Sequence, residues 1–397
     1  MSEKRRDNKN RILRTGESQR KDGRYAYKYI DTFGKPQFVY SWKLVPTDKT
    51  PAGKRDDIAL REKEKEIQKD LDDGIDHIGK KMTVCQLYAK QIRHRGNVRY
   101  NTKNGRKRLM KLLEEDKLGG CPIDSVKLSD AKEWAIRMKE KGISYKTISN
   151  DKRSLKAAFY TAIQDDCIRK NPFDFQLNTV IEDDTEPKVP LTPAQEESFL
   201  SFAQNDKVYQ KYYDELIILL GTGLRISELC GLTDTDINFE NRIINVDHQL
   251  LRSAETGYYI ETPKTKSGIR QIPMSEKVYE AFNRVLKRRR GAKAVTIDGY
   301  SNFLFLNRDG YPKTATNYDG MFRGLAKKYN KYHEEALPKV MTPHTLRHTF
   351  CTNMANAGMN PKALQYIMGH SNITMTLNYY AHATFDSAKA EMLRIAA

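Results

Sequence analysis

Apolar and polar positions alternate near the start of the chain, in GRYAYKYIDTFGKPQFVYSWKLV (23–45). Tyr25, Tyr27 and Tyr29 recur with period two, Phe33-Gly34-Lys35-Pro36 breaks the run, and Phe38, Tyr40 and Trp42 resume it. Period two on either side of a Gly/Pro turn predicts a β-hairpin. RILRTG (11–16) is a candidate third strand and Asp57 to Leu71 a helix, which together make a small sheet-plus-helix module over residues 1–75. One aromatic face should form its core, with Arg24, Lys28 and Lys43 on the other. A small sheet with a basic face can lie in a DNA major groove.

Past Gly74 and Gly79 the apolar spacing becomes helical. Met82 to Arg93, Asn104 to Glu115, Ser129 to Lys139 and Ser144 to Gln164 are expected helices, closed by Asn171-Pro172, so residues 81–180 form an all-α domain. IEDDTEPKVPLTP (181–193), acidic and proline-rich, is expected to be a linker. Residues 186–397 mix a helix at Tyr212 to Leu220, strands at Arg242 to Asp247, Tyr258 to Glu261 and Ile269 to Pro273, and further helices, an α+β pattern. ETPKTKSGIRQIPM (261–274) is expected to be a hairpin that turns at Lys264 to Gly268. No internal repeat is visible.

With 397 residues, 39% of them apolar, the chain can bury more than one core. Lys+Arg 69 against Asp+Glu 51 give +18, so a polyanion is the expected partner. The excess is concentrated: residues 1–55 hold 15 basic and 6 acidic side chains, and 81–180 hold 22 and 11. Lys81 to Lys111 contains ten basic residues and no acid, which makes Arg93, Arg95, Arg99, Arg106, Lys107 and Arg108 candidate nucleic-acid contacts. Five scattered cysteines, none in a CxxC pair, suit a reducing compartment and neither a disulfide framework nor a zinc site. The longest aliphatic run, Leu216 to Leu220, is far too short to span a membrane, and no apolar segment follows the basic start, so a cytoplasmic location is expected.

The candidate chemistry lies in the last half. In YYDELIILLGTGLRISELCGL (212–232) an apolar helix ends at Gly221-Thr222-Gly223 and Arg225 opens the next helix amid Leu224, Ile226 and Leu229. An arginine in such surroundings is paired or aimed at an anion. The structural alternative is a salt bridge to Glu228. In TPHTLRHTF (342–350) Thr342 suits an N-cap and Pro343 the first helical position, so His344 and Arg347 share a face near a helix N-terminus, where an anion is favoured. His344 with His348 makes a poor zinc pair, because Thr345 stands where HExxH has its glutamate and Arg347 would repel the metal. MGHSNITMTLNYYAH (368–382) adds His370 and two adjacent tyrosines, which point about 100° apart on a helix, so only one can serve a site. Two arginines, a lysine, two histidines and a tyrosine around a phosphate, without a GxxxxGK[ST] loop, suit transesterification of a phosphodiester by a tyrosine oxygen.

GTGLRISEL, then KTK, then HTLRH, then GH, then a tyrosine nine residues after that histidine: in this order the chain resembles the tyrosine site-specific recombinases, or phage-type integrases. The resemblance runs from Leu191 to about His382. The helical domain before it fits that family's architecture, and the N-terminal module resembles the arm-binding domain of integrases of bacterial conjugative transposons. The resemblance implies an arm-site module (1–75), a helical core-site domain (81–180) and an α+β catalytic domain (186–397) ending in a tail exchanged between subunits. It implies Arg225, Lys264, His344, Arg347, His370 and Tyr379 as the active site, acting in the integration and excision of a mobile element without metal, ATP or other cofactor. A homotetramer on double-stranded DNA, an excisionase and a host DNA-bending protein are the partners it suggests. Arg225 and Arg347 would clamp the non-bridging oxygens. His344 and His370 would add donors, one of them accepting the phenol proton, and Lys264 would protonate the leaving 5′ oxygen. Met368 replaces the usual leucine before GH. The family's Tyr-x-His pattern would select Tyr380 with His382, whereas the count from His370 selects Tyr379; the count is preferred because the histidine belongs to the same site. A type IB topoisomerase has similar active-site residues, and a catalytically silent DNA-binding regulator could keep the fold.

Overall fold

The computed structural model describes residues 5–32, 34–76, 79–96, 98–186, 189–263, 265–289, 295–380 and 392–393. The chain divides into two units, Met1–Glu186 and Pro187–Ala397.

In the first unit, β1 (Glu17–Gln19), β2 (Tyr25–Ile30) and β3 (Pro36–Ser41) form an antiparallel sheet in that order. The hairpin pairs Tyr27 with Val39 and Lys28 with Phe38. The third strand is Glu17–Gln19 and not RILRTG. Gly16, at φ +89°, turns the chain just before it, and Arg11 is drawn off to Asp7 and Asp48. Tyr25, Tyr27 and Tyr29 are buried against Leu60 and Ile67 of α1 (Leu60–Asp72), seven residues apart and so on one helix face. Phe38 and Tyr40, on the opposite face, are exposed. The helices are α2 (Val84–His94), α3 (Tyr100–Glu114), α4 (Leu128–Glu140) and α5 (Tyr145–Gln164), close to their expected bounds. They enclose a separate core around Trp134, Phe159 and Phe173. The acidic stretch is not wholly a spanning segment, since Ile181 is buried in that core.

The second unit opens with α6 (Pro193–Asn205), where Thr192 caps the backbone of Gln195. Then follow α7 (Tyr213–Thr222), α8 (Ile226–Gly231), β4 (Ile237–Asn238), β5 (Ile243–Val246), β6 (Gln249–Ser253), β7 (Gly257–Glu261) and β8 (Arg270–Pro273). The remaining helices are α9 (Glu276–Arg289), α10 (Ala315–Tyr332), α11 (Pro343–Asn356), α12 (Pro361–Met368) and α13 (Thr374–Leu377). The apolar α7 packs between α9 and α11, with Leu216, Leu219, Phe282, Phe322 and Leu346 in one core.

The expected hairpin across Lys264 to Gly268 is not there. β7 pairs with β6, while β8 pairs with β5 in the sheet β4-β5-β8. The tight turn into Gly257, at φ +72°, gives β7 a partner from the residues just before it, so β7 and β8 belong to different sheets. Lys264 lies outside the described residues, as does most of the C-terminal tail. No described helix is long and apolar enough to cross a membrane.

Candidate active site

α7 ends at Gly223, which has φ +63° and whose missing side chain leaves room for the Phe350 ring. That left-handed residue turns the chain so that Arg225 becomes the N-cap of α8. The Arg225 backbone N–H donates to Glu228 Oε2 at 2.9 Å and its Nη1 donates to Oε1 at 2.6 Å. The suggested salt bridge is therefore present, yet about a third of the Arg225 side chain (32%) stays open to solvent.

α12 ends at Gly369, φ +61°, and here the last carbonyls of the helix need partners from elsewhere. Three arginines supply them in succession. Arg270 Nε donates to the Ile367 carbonyl at 2.6 Å, Arg347 Nη2 to that of Met368, and Arg225 Nη2 to that of Gly369 at 3.0 Å. The helix C-terminus carries partial negative charge, which favours this arrangement. Arg347 also donates to the Gly223 carbonyl, so it ties the ends of α7 and α12 together. A Cβ at Gly369 would come within 3.0 Å of the Ser267 carbonyl oxygen and 3.2 Å of Arg270 Nη1.

Two of these guanidinium groups, those of Arg225 and Arg270, pair with one buried carboxylate, Glu228, while Arg347 only feels its charge. Burial pushes that carboxyl up, but the hydrogen bonds and charge of Arg270, then the charge of Arg225, hold it at about 2. Burial, followed by the charge of Arg225, presses the Arg347 guanidinium down to about 9. His370 is pressed down to about 4 by burial and then by Arg347, Arg225 and Arg270, so its imidazole is neutral at pH 7. A buried group of cations with too little negative charge is relieved by an anion.

The tyrosines differ in what holds them. The Tyr380 hydroxyl donates to the Met359 carbonyl at 2.5 Å. Tyr379 meets the edge of the His348 ring, 4.8 Å between centroids, and its hydroxyl makes no hydrogen bond to a described residue. Burial and Cys351 raise the Tyr379 phenol while Arg347 lowers it. Both tyrosines pack against the cluster of Phe350, Cys351, Ala355, Leu364 and Met368. His370 Nδ1 lies 3.0 Å from the Thr376 hydroxyl, which joins the GH turn to α13 just ahead of the tyrosine pair.

Arg225, Arg347 and His370 thus come together, with His344 exposed at the start of α11 and Tyr379 beside His348 one turn further along that helix. Sequence reasoning missed Arg270, whose side chain is fully enclosed and clamps Glu228 with two donors at 2.8 and 3.1 Å. Its signal was available: period two puts Arg270 on the same inward face as Ile272. Among the described residues, the one cluster with metal-ligand geometry is Asp236, Asp247 and His248, and it includes neither His344 nor His348.

Of the other basic candidates, Arg24 lies over the Tyr40 and Trp42 rings and Lys28 over Phe38, on the exposed sheet face. Lys43 is paired with Asp56 at 2.8 Å and Arg108 with Asp151 at 2.6 Å. Arg93, Arg95 and Lys107 are exposed, and Arg99 and Arg106 half-buried. A groove of about 570 Å³ along α2 and α3 is lined by Lys103, Arg106, Lys107 and Met110.

Residues 190–387 match the phage integrase family, and residues 1–71 match the DNA binding domain of Tn916 integrase. A transposase from transposon Tn1545 of Streptococcus agalactiae serotype V is 71% identical over 100% of this chain and 97% of its own length. A structure of the Tn1549 transposon integrase (residues 82–397, R225K) in complex with a circular intermediate DNA is 78% identical, covering 79% of this chain and 99% of that one, with a TM-score of 0.76. The same integrase carrying Y379F, in complex with transposon right end DNA, is also 78% identical, covering 80% of this chain and 100% of that one, at a TM-score of 0.75.

Proposed function

The chain belongs to the phage integrase family of tyrosine site-specific recombinases, and we propose that it integrates and excises a transposon by cutting and rejoining duplex DNA with Tyr379 as its nucleophile. The observation that carries the residue assignment is the pair of tyrosines: the Tyr380 hydroxyl is committed to the Met359 carbonyl, whereas that of Tyr379 makes no hydrogen bond to a described residue. Its neighbourhood has the surplus of positive charge that a phosphodiester would neutralise.

In this reading the Tyr379 oxygen attacks the scissile phosphorus and the bond to the 5′ oxygen breaks. Arg225 and Arg347 hold the two non-bridging oxygens, where donors fixed in advance stabilise the charge that develops. His344 supplies a further donor from the start of α11. One of His344 and His370 accepts the phenol proton; His370, held low by burial and then by the arginines, gains the basicity for this only when a phosphate offsets their charge. Lys264 gives a proton to the leaving 5′ oxygen. The products are a 3′-phosphotyrosyl link and a free 5′-hydroxyl, and attack by a 5′-hydroxyl on that link rejoins the strand. Bond energy is conserved throughout, so the cycle needs neither nucleotide nor metal.

We assign arm-site binding to residues 1–75 through Arg24, Lys28 and Lys43, and core-site binding to 81–180 through Arg93, Arg95, Arg99, Arg106, Lys107 and Arg108, with catalysis in 186–397. Arg24, Lys43 and Arg108 would have to share themselves between phosphate and their present carboxylates, Asp22, Asp56 and Asp151. A homotetramer on DNA, assisted by an excisionase and a host DNA-bending protein in the cytoplasm, completes the proposal.

The test is a nicked attachment-site duplex that traps the covalent adduct. Wild-type and Tyr380→Phe chains should form it, and Tyr379→Phe should bind the duplex without forming it. DNA mapped to Tyr380 would reverse the assignment. Binding without any adduct would point to a silent regulator, and relaxation of supercoils regardless of site would point to a topoisomerase.

A further inference from the structure

We infer that Arg270 is a positioning residue for strand cleavage: it fixes Glu228, and through Glu228 the guanidinium of Arg225, while holding the Ile367 carbonyl that leads into the Gly369-His370 turn. The inference rests on the assignment of Arg225 to the phosphate.

Arg270 cannot itself reach a phosphate, because its side chain has no exposure at all. Its donors are spent inside the protein: Nε on Ile367 O at 2.6 Å, Nη1 on Gly268 O at 3.0 Å and Glu228 Oε1 at 3.1 Å, and Nη2 on Glu228 Oε2 at 2.8 Å. Arg225 shares the same carboxylate but, besides its backbone N–H, uses only Nη1 of its side chain, at 2.6 Å, and spends Nη2 on Gly369 O at 3.0 Å. A guanidinium has five N–H donors, so Arg225 keeps donors for an incoming anion on its open side.

The division of Glu228 between the two arginines sets how Arg225 stands. A buried carboxylate freed of Arg270 would keep one Arg225 donor on each oxygen, the backbone N–H and Nη1, and the nearest cation that can replace the lost donors is the rest of the Arg225 guanidinium. It would be drawn into a two-pronged pair with Glu228 and away from the phosphate. Arg270 prevents this by occupying both oxygens from the enclosed side. A lysine at 270 would keep the charge but, as a single point of donors, could not span Glu228 and the Ile367 carbonyl together.

The experiment uses the full chain on the nicked duplex, comparing the single-turnover rate of adduct formation at saturating DNA, the DNA affinity, and the melting temperature. Arg270→Lys is expected to slow adduct formation about 10- to 100-fold while affinity stays within about threefold, and cooling well below melting should not restore the rate. In a Glu228→Gln background the same change should add little, because both act on Arg225. Asp214→Asn serves as the control: it breaks the Arg284 and Arg288 ion pairs in the same unit, so it should lower melting without slowing folded protein. Should Arg270→Lys fail to fold, Glu228→Gln alone decides, with the same slow rate at near-normal affinity expected. A wild-type rate in whichever variant folds, a loss that disappears on cooling, or losses that simply multiply in the double variant would overturn the inference. Absence of adduct from the wild-type chain would instead defeat the functional reading beneath it.

Discussion

The exposed face of the N-terminal sheet and the arginine group of the catalytic unit both gather cations, and they hold them in opposite ways. On the sheet, Arg20 and Arg24 lie over Tyr40, Arg24 and Lys54 over Trp42, and Lys28 over Phe38. Such contacts are worth about 0.5–1 kcal/mol each at exposed sites and leave the charged heads in water. In the catalytic unit Arg347 and Arg270 are buried and fixed by backbone carbonyls and Glu228. Their dehydration is completed when the chain folds, so a phosphate would meet Arg347 already in place and Arg225 already set by the carboxylate that Arg270 fixes. The first arrangement suits affinity that responds to salt; the second suits rate.

The largest effect expected from this contrast is at Arg347. Arg347→Lys should lower adduct formation by on the order of 10²–10³, with a much smaller change in DNA affinity. A variant that lost affinity and kept its rate would erase the distinction between the two regions.

Gly369→Ala should come next, since it imposes a side chain at φ +61° and brings a Cβ against the Ser267 carbonyl. A loss of about 1–3 kcal/mol is expected, seen as a lower denaturant midpoint, together with slower cleavage because three arginines lose their register. An unchanged midpoint would mean that the carbonyl template tolerates distortion.

Acid sharpens the same contrast. The His370 imidazole has a folded value of about 4 against an ordinary 6.5, so the folded state disfavours its charged form. Its contribution is complete above pH 6.5 and is lost as pH falls through 4, because the unfolded chain takes up a proton that the folded chain refuses. A His370→Asn chain should therefore show a flatter fall in stability between pH 6.5 and 4, by on the order of 1–3 kcal/mol. Parallel curves for the two proteins would count against the burial of a neutral imidazole.

The smallest effect belongs to the sheet. Arg24→Ala should weaken binding to an arm-site duplex by about 1 kcal/mol and reduce the salt slope by about one, leaving adduct formation on a core-only nicked duplex unchanged. A loss of cleavage there would show that the sheet does more than bind.

Local patterns made much of this legible. Period two found the 25–41 hairpin, period 3.6 found α2 to α5 within a few residues, and the Thr342-Pro343 cap placed His344 and Arg347. What stayed hidden depends on partners distant in sequence. Arg270 and Glu228 are 42 residues apart, and β7 and β8, adjacent in sequence, belong to different sheets. Alternation sees that each is a strand but not which strand it joins. The two tyrosines could be ranked only by counting, because what separates them is a hydrogen bond from Tyr380 to Met359, 21 residues back.

The three carbonyls at Ile367, Met368 and Gly369 are addressed one by one by Arg270, Arg347 and Arg225. Such a comb reads backbone oxygens, so the side chains of Ile367 and Met368 are not among its contacts. It does not tolerate a change of length. Adding or removing one residue there would swing each following carbonyl through about 100° and shift it about 1.5 Å along the axis, so every guanidinium would face the wrong oxygen at once. Apart from Gly369, whose φ and close neighbours fix its identity, this stretch is constrained more in length than in side chain, and a gap introduced here would dismantle the site without touching any residue that reacts.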